Sequence, residues 1–274
     1  MVKRILLYIS SIIEKLHLPG DLIENRYVVV RHLGSGSYGQ TYLVMDQLKE
    51  VIIVLKTLRW HRRITKAGRS GFFAEMEMLA NIRHSGFPIF FESGYDGKTP
   101  FYTMEYVEGH TFEQLIFQEG KTYNEVECFI VANQLLEMVD YLHQLHIVHR
   151  DLRIPNIMLQ GRELKIIDMG LAKKVGSDNH SLNFHPRKQI NVQSDYYGLG
   201  HFILFLLYST YSPVNHAKER SWEEELVITN DAKTIIRRLL QIDRPYETSY
   251  DIQQDFQKII KNKVGERVKA NVVF

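Results

Sequence analysis

Short runs of β-branched and other apolar residues, separated by glycine-rich or charged turns, mark the first part of the chain. Such runs are typical of strands, and they lie at residues 27–30, 41–45 and 51–55. A helical pattern follows at 72–82, and a further strand is predicted at 101–106. The N-terminal part is therefore predicted to form a lobe built mainly of β-strands.

The pattern changes after Gly109. Apolar residues at helical spacing predict a long amphipathic helix, and these residues are Val126, Phe129, Ile130, Leu135, Leu136, Val139 and Leu142. A hairpin is predicted at 157–167, and the chain from Tyr196 onward is mainly helical in pattern. We therefore expect an α+β, bilobal fold with a β-rich N-lobe, a helical C-lobe and a ligand-binding cleft between them.

The N-terminal residues form a segment of their own. Apolar residues at helical spacing continue until Pro19-Gly20, and they are Ile5, Leu6, Ile9, Ile12, Ile13 and Leu16. We favour a helix that packs on its own domain, with contact to a membrane surface through residues 1–17 as the alternative. The predicted division is an amphipathic extension at 1–22, a main domain at 23–262 (lobes 23–107 and 108–262) and a tail at 263–274.

Composition narrows the class of protein only slightly. The 274 residues are 45% hydrophobic and 24% charged, which is ordinary globular usage. A net charge of +2 gives no reason to expect a nucleic-acid partner. The single cysteine, Cys128, excludes an intrachain disulfide and is typical of a reducing compartment, so we expect a cytoplasmic protein. Its apolar surroundings predict a buried small side chain and not a nucleophile.

A glycine-rich segment precedes a lysine at the end of an apolar strand. Residues 34–39 match G-x-G-x-x-G, a spacing that dinucleotide-binding folds also use, but here a strand follows and not a helix. Glycines at such a bend let backbone N–H groups approach phosphate oxygens. Lys56 closes the strand and needs a partner if it is buried. Glu75 is expected on the inward side of the next helix, whereas Glu77 should point away.

Two further motifs flank the predicted hairpin. Residues 149–156 read His-Arg-Asp-Leu-Arg-Ile-Pro-Asn, and residues 168–170 read Asp-Met-Gly. Asp151 can orient an attacking hydroxyl and accept its proton. Asn156 and Asp168 supply the oxygen ligands that Mg²⁺ prefers, with Mn²⁺ as a possible substitute. Together with Lys56, these residues predict a catalyst of phosphoryl transfer from ATP.

The set of motifs resembles the Hanks-type protein kinases, and the small bacterial serine/threonine kinases in particular. The resemblance implies a hinge at Met104, Glu105 and Val107, and an arginine, Arg153, near the γ-phosphate. It implies that Asp195 anchors the catalytic loop. It also implies a nucleotide site, whose other predicted residues are Gly34, Ser35, Gly36, Ser37, Tyr38, Gly39, Val54, Lys56 and Met158. Predicted catalytic residues are Asp151, Lys56, Glu75 and Arg153.

Some positions depart from the family pattern. Val54 stands where the family usually has alanine, and Arg153 replaces a lysine. Residues 171–194 are fewer than usual and contain no A-P-E motif, which leaves Arg244 without its usual glutamate. The predicted activity is transfer of the γ-phosphate of ATP to a serine or threonine of a protein substrate. The alternatives are a small-molecule kinase and a nucleotide-binding scaffold without activity.

Overall fold

The structure is a computed structural model that describes residues 16–36, 38–176, 185–186, 189–212 and 220–270, with the backbone alone from 262 onward. Most of the predicted N-terminal extension, and Ser37 of the glycine-rich segment, lie outside these residues. The chain divides into two compact units, Met1–Glu108 with Lys165–Leu171, and Gly109–Leu164 with Ala172–Phe274. The first boundary falls where the change of pattern predicted it. The grouping of Lys165–Leu171 with the first unit was not predicted.

The first unit is built on an antiparallel sheet of six strands in the order β1-β2-β3-β4-β6-β5. The strands are β1 (Leu22–Ile23), β2 (Tyr27–Ser35), β3 (Gly39–Asp46), β4 (Val51–Leu58), β5 (Phe90–Asp96) and β6 (Thr99–Met104). Two helices, α1 (Trp60–Arg63) and α2 (Lys66–Asn81), lie between β4 and β5. The predicted strands and helix are present, most of them longer than predicted, and β5 is an addition.

Alternation along the strands gives this sheet two apolar faces. One face packs around Tyr27, Tyr42, Leu55 and Phe101, with its other members at Ile23, Val29, Val44 and Ile53. The opposite face packs against α2 in a cluster formed by Val54, Leu58, Phe72, Leu79, Tyr102 and Met104. Side chains alternate between the faces of a strand, so Lys56 shares the helix-covered face with Val54 and Leu58.

The second unit is mainly helical. Its helices are α3 (Phe112–Phe117), α4 (Glu125–Gln144), α5 (Val192–Tyr208), α6 (Trp222–Glu225), α7 (Asn230–Leu239) and α8 (Ser249–Ala270). Its short strands are β7 (His110–Thr111), β8 (Ile147–Val148), β9 (Ile157–Gln160) and β11 (Lys173–Lys174). Strand β10 (Glu163–Ile166) follows β9 as the predicted hairpin, and the chain passes along it into Lys165–Leu171.

Helix α4 explains how the local sequence forms the core of this unit. Asn124 caps the first turn by accepting from the Glu127 N–H, while the Glu127 carboxylate accepts from the Asn124 N–H, which is a capping box. The buried face of α4 packs on α5 and α8. Cys128 lies on that face, and burial raises the pKa of its thiol, which fits the predicted inert role.

Helix α8 runs to Ala270, so it continues past residue 262, the predicted end of the main domain. Helix α5 begins at Val192, four residues before the predicted start of helical character at Tyr196. Within the described ranges, none of the helices is long and apolar enough to cross a bilayer.

Candidate active site

The register of the sheet places the predicted lysine. Thr41 on β3 and Tyr102 on β6 are the partners of Lys56 in the two antiparallel pairs that β4 forms. Gly39 lets β3 approach closely, because a Cβ atom there would lie 2.8 Å from both Lys56 Cγ and the Thr57 carbonyl oxygen. The last glycine of the motif is therefore required by the packing of the lysine stem, in addition to any contact with phosphate.

Lys56 forms a buried cluster with three other side chains. Its Nζ lies 2.5 Å from Glu75 Oε1 and 3.0 Å from Asp168 Oδ1. The Tyr102 hydroxyl donates to the same Glu75 oxygen over 2.9 Å. Lys56 and Glu75 are 4% and 2% exposed. Glu77 is exposed, as the helical spacing predicted.

Burial and charge act in opposite directions on this lysine cluster of Lys56, Glu75, Tyr102 and Asp168. Burial disfavours the charged form of Lys56, but Glu75, Tyr102 and Asp168 outweigh it and hold the lysine pKa well above its ordinary value. Burial, reinforced by the charge of Glu75, raises the pKa of Tyr102 well above its ordinary value. The lysine is therefore charged, and the tyrosine hydroxyl keeps the proton that it donates.

The glycine-rich segment forms a tight turn beside this cluster. The Gly36 N–H donates to the Gly39 carbonyl over 2.9 Å. The Tyr38 ring lies against α2 at Gly71, where a Cβ atom would come within 2.6 Å of ring carbon Cζ. The Arg62 guanidinium lies 5.0 Å from the centre of the same ring. The side chain of Tyr38 is thus placed on the helix, so a contact with nucleotide would have to come from its backbone.

The predicted hinge follows β6. Val54 and Met104 are partners in the β4–β6 pair, and both are buried, as expected for a nonpolar wall of an adenine pocket. The Glu105 N–H donates to the Ile89 carbonyl over 2.8 Å, so a bond from the Glu105 backbone to adenine would use its carbonyl oxygen. Val107 is also buried. In the second unit, Met158 on β9 is 9% exposed.

The catalytic loop, residues 149–156, lies in the second unit and is held by Asp195. The fully buried Asp195 accepts from the His149 N–H over 2.8 Å and from the Arg150 N–H over 2.6 Å. His143 Nε2 lies 2.9 Å from Asp195 Oδ2. Arg150 has a positive φ of 66°, an uncommon conformation that these two N–H bonds help to maintain. The structure therefore gives Asp195 the anchoring contacts that the resemblance implied.

Asp151, Arg153 and Asn156 are brought together in this loop. Arg153 holds Asp151 as a fork, with Nε 2.6 Å from Oδ1 and Nη2 2.9 Å from Oδ2. Asn156 Nδ2 donates to Asp151 Oδ2 over 2.8 Å and to the Asp151 carbonyl over 2.9 Å. The amide nitrogen of Asn156 is thus committed to Asp151, which leaves its oxygen to act as a ligand.

The residues expected to bind metal fit a hard cation in their chemistry. Asn156 offers an amide oxygen, and the Asp168 carboxylate is 32% exposed while its Oδ1 accepts from Lys56 and the Gly170 N–H. They lie in different units, so each is described alone. In the part of the chain that the structure describes, no group of three or more His, Cys, Asp or Glu side chains could hold a metal ion by itself.

Residues 27–272 match the family model described as "Protein kinase domain". The chain belongs to the protein kinase family. This kinase is 32% identical to "Probable serine/threonine-protein kinase YbdM" of Bacillus subtilis, over 89% of this chain and 93% of that protein. It is 27% identical to "Serine/threonine-protein kinase PrkC" of the same organism, over 58% of this chain but only 25% of that longer protein.

Solved structures agree with the fold. The kinase domain of Mycobacterium tuberculosis PknI superimposes with a TM-score of 0.69 at 19% identity, over 89% of this chain and 99% of that one. The predicted α+β kinase fold is therefore confirmed, as is the resemblance to Hanks-type kinases of the small bacterial kind.

Sequence reasoning missed two contacts of the site and left one open. Tyr102 and His143 were not predicted to contact Glu75 and Asp195, since those contacts depend on residues far apart in the chain. Arg244, whose partner was not predicted, pairs with Glu247 over 2.5 Å, with both side chains mostly exposed. A pair of that kind adds little to stability.

Proposed function

We propose that this chain transfers the γ-phosphate of ATP to serine or threonine hydroxyls of a protein substrate. The observation that carries the proposal is the lysine cluster, in which a buried, charged Lys56 lies between Glu75 and Asp168. Such a cluster has no structural need for a cation inside an apolar face, but a phosphate-binding site does. Membership of the protein kinase family and the printed names of its relatives support the same activity.

Each set of residues has a defined part in this chemistry. Lys56, held by Glu75, would bind phosphate oxygens of ATP and stabilise their charge. The Asp151 carboxylate would orient the acceptor hydroxyl and take its proton as the phosphoryl group leaves ATP. Arg153, already on Asp151, would place a second positive charge near the γ-phosphate.

The divalent cation is the less specific part of the proposal. Asn156 and Asp168 would hold Mg²⁺, which Mn²⁺ could replace, and the ion would neutralise charge on the phosphates. We expect no nucleic-acid partner, and we propose a reducing compartment such as the cytoplasm because Cys128 is the only cysteine. Membrane contact through residues 1–17 stays a prediction, and liposome binding by the chain with and without that segment would test it.

The deciding experiment is transfer of label from γ-labelled ATP by the purified chain. The acceptors are the chain itself, casein and a panel of small hydroxyl compounds, with Asp151→Asn as the matched control. We expect phosphoserine or phosphothreonine on protein, dependent on a divalent cation and absent with the control. Label on small molecules alone would favour the small-molecule kinase, and ATP binding without any transfer would favour the scaffold.

A further inference from the structure

Tyr102 and Lys56 approach the same carboxylate from adjacent strands. They are direct partners in the β4–β6 pair, and directly opposed residues in an antiparallel pair project to the same face of the sheet. Both side chains reach Glu75 Oε1, Lys56 Nζ over 2.5 Å and the Tyr102 hydroxyl over 2.9 Å. One carboxylate oxygen therefore receives two hydrogen bonds from two neighbouring strands.

The tyrosine ring is fixed by packing, so its hydroxyl is aimed. Tyr102 is 1% exposed, and its ring centre lies 5.4 Å from that of Phe72 and 6.3 Å from that of Phe90. Phe72 precedes Glu75 by three residues on α2, so the same face of the helix holds the ring and accepts its hydroxyl hydrogen bond.

The second carboxylate oxygen of Glu75 contributes no competing hydrogen bond. Among the described residues, Glu75 Oε2 is buried without a hydrogen-bond partner. The orientation of the carboxylate therefore depends on the two bonds to Oε1, one from the lysine and one from the tyrosine. Lys56 has an alternative acceptor in Asp168 Oδ1 at 3.0 Å, whereas Glu75 is left with Lys56 alone if the tyrosine hydroxyl is removed.

We propose that Tyr102 is a positioning residue for phosphoryl transfer, which holds Glu75 in place so that Glu75 keeps Lys56 on the phosphates of ATP. The inference rests on the proposed function, because it concerns the use that the kinase makes of Lys56. Without the hydroxyl, the carboxylate gains rotational freedom and Lys56 shifts toward Asp168. The result is a less populated binding geometry for ATP.

The test is Tyr102→Phe, which removes one oxygen atom and keeps the ring. We expect kcat/KM for ATP to fall about tenfold, the size of one hydrogen bond to a charged group, while KM for the protein acceptor stays unchanged. The matched control is Tyr246→Phe, because Tyr246 is equally buried and its hydroxyl donates to the Asp255 carboxylate over 2.8 Å in the other unit.

The two variants separate positioning from stability. Each loses a buried hydroxyl–carboxylate bond, so both should lower the melting temperature by similar amounts. Only Tyr102→Phe should lower kcat/KM for ATP. Equal kinetics in the two variants would overturn the proposal. If Tyr102→Phe does not fold, Tyr102→Met takes its place under the same criteria, since methionine fills irregular space and also lacks the hydroxyl.

A double-mutant cycle tests whether Tyr102 acts through Glu75. In a Glu75→Ala background, Tyr102→Phe should change kcat/KM for ATP less than twofold, because its acceptor is gone. A full tenfold loss in that background would contradict the proposal. If the parent transfers no phosphate, the proposed function fails. The inference is then decided by the Kd for ATP, which should weaken in Tyr102→Phe and not in Tyr246→Phe.

Discussion

The lysine cluster and the catalytic loop hold their charges in opposite ways. In the first unit, Lys56 and Glu75 are buried and support each other directly, with Tyr102 completing the set. In the second unit, Asp151 and Arg153 lie nearer the solvent, and Arg153 is about half exposed. The support for that loop comes from Asp195, which is fully buried and bonds to backbone N–H groups and to His143.

The difference follows from what each set must bind. A group that holds phosphates gains from a low-dielectric setting, where charge–charge interactions are strong and water does not compete. A group that meets a protein hydroxyl must stay accessible, so its geometry has to be fixed from behind. Mutations should therefore affect both stability and nucleotide binding in the first set, but separate stability from chemistry in the second.

The largest effect is expected for Asp151→Asn. The amide cannot accept a proton from the acceptor hydroxyl, so kcat should fall by about 10²–10⁴-fold. Affinity for ATP should stay close to that of the parent, because the phosphate-binding residues belong to the lysine cluster. Single-turnover transfer and ATP titration measure the two quantities. Near-parent turnover would remove Asp151 from its catalytic role.

Lys56→Met should lower both activity and nucleotide affinity. The change removes the cation that faces the phosphates, and loss of one such electrostatic group costs about 10²–10³-fold in kcat. It also leaves Glu75 buried without its main partner, a change that typically costs about 3–5 kcal/mol of stability. Thermal unfolding and ATP titration on the same sample test both. An unchanged melting temperature would contradict the assignment of Lys56 as a buried partner of Glu75.

Asp195→Asn should weaken the loop from behind. The carboxamide has one acceptor oxygen, so one of the N–H groups of His149 and Arg150 would lose its partner, at about 1–3 kcal/mol of unfolding free energy. Urea unfolding measures this loss. We expect kcat to fall about tenfold because Asp151 becomes less well placed, with KM for ATP unchanged. A rise in KM for ATP as large as the fall in kcat would show that the two sets are not separable.

Arg153→Lys should have the smallest effect. Lysine keeps the charge but loses the fork on Asp151, and a half-exposed pair contributes little to stability. The melting temperature should stay within about a degree, since exposed pairs add roughly 0–1 kcal/mol. We expect kcat within a few-fold of the parent. A loss as large as that of Asp151→Asn would mean that the fork itself is required for transfer.

The sequence was sufficient for the residues that carry chemistry, because motifs fix their spacing. Helical periodicity also separated Glu75 from Glu77 correctly, since only one of two residues so spaced can face the sheet. The contact from Tyr102 could not be predicted, because it depends on the register of β4 against β6, strands that are far apart in sequence. Strand β5 was missed because Phe90–Asp96 contains Glu, Ser, Gly and Asp, which weaken any strand signal.

The contact between Tyr38 and Gly71 has an evolutionary consequence. Glycine inside a helix costs about 1 kcal/mol relative to alanine, so a neutral drift toward alanine at this position would ordinarily stabilise α2. Here the added methyl would strike the Tyr38 ring, which also carries the Arg62 guanidinium above it. Positions 38 and 71 are thus free to diverge only in concert, with a larger residue on the helix arising together with a smaller one in the turn.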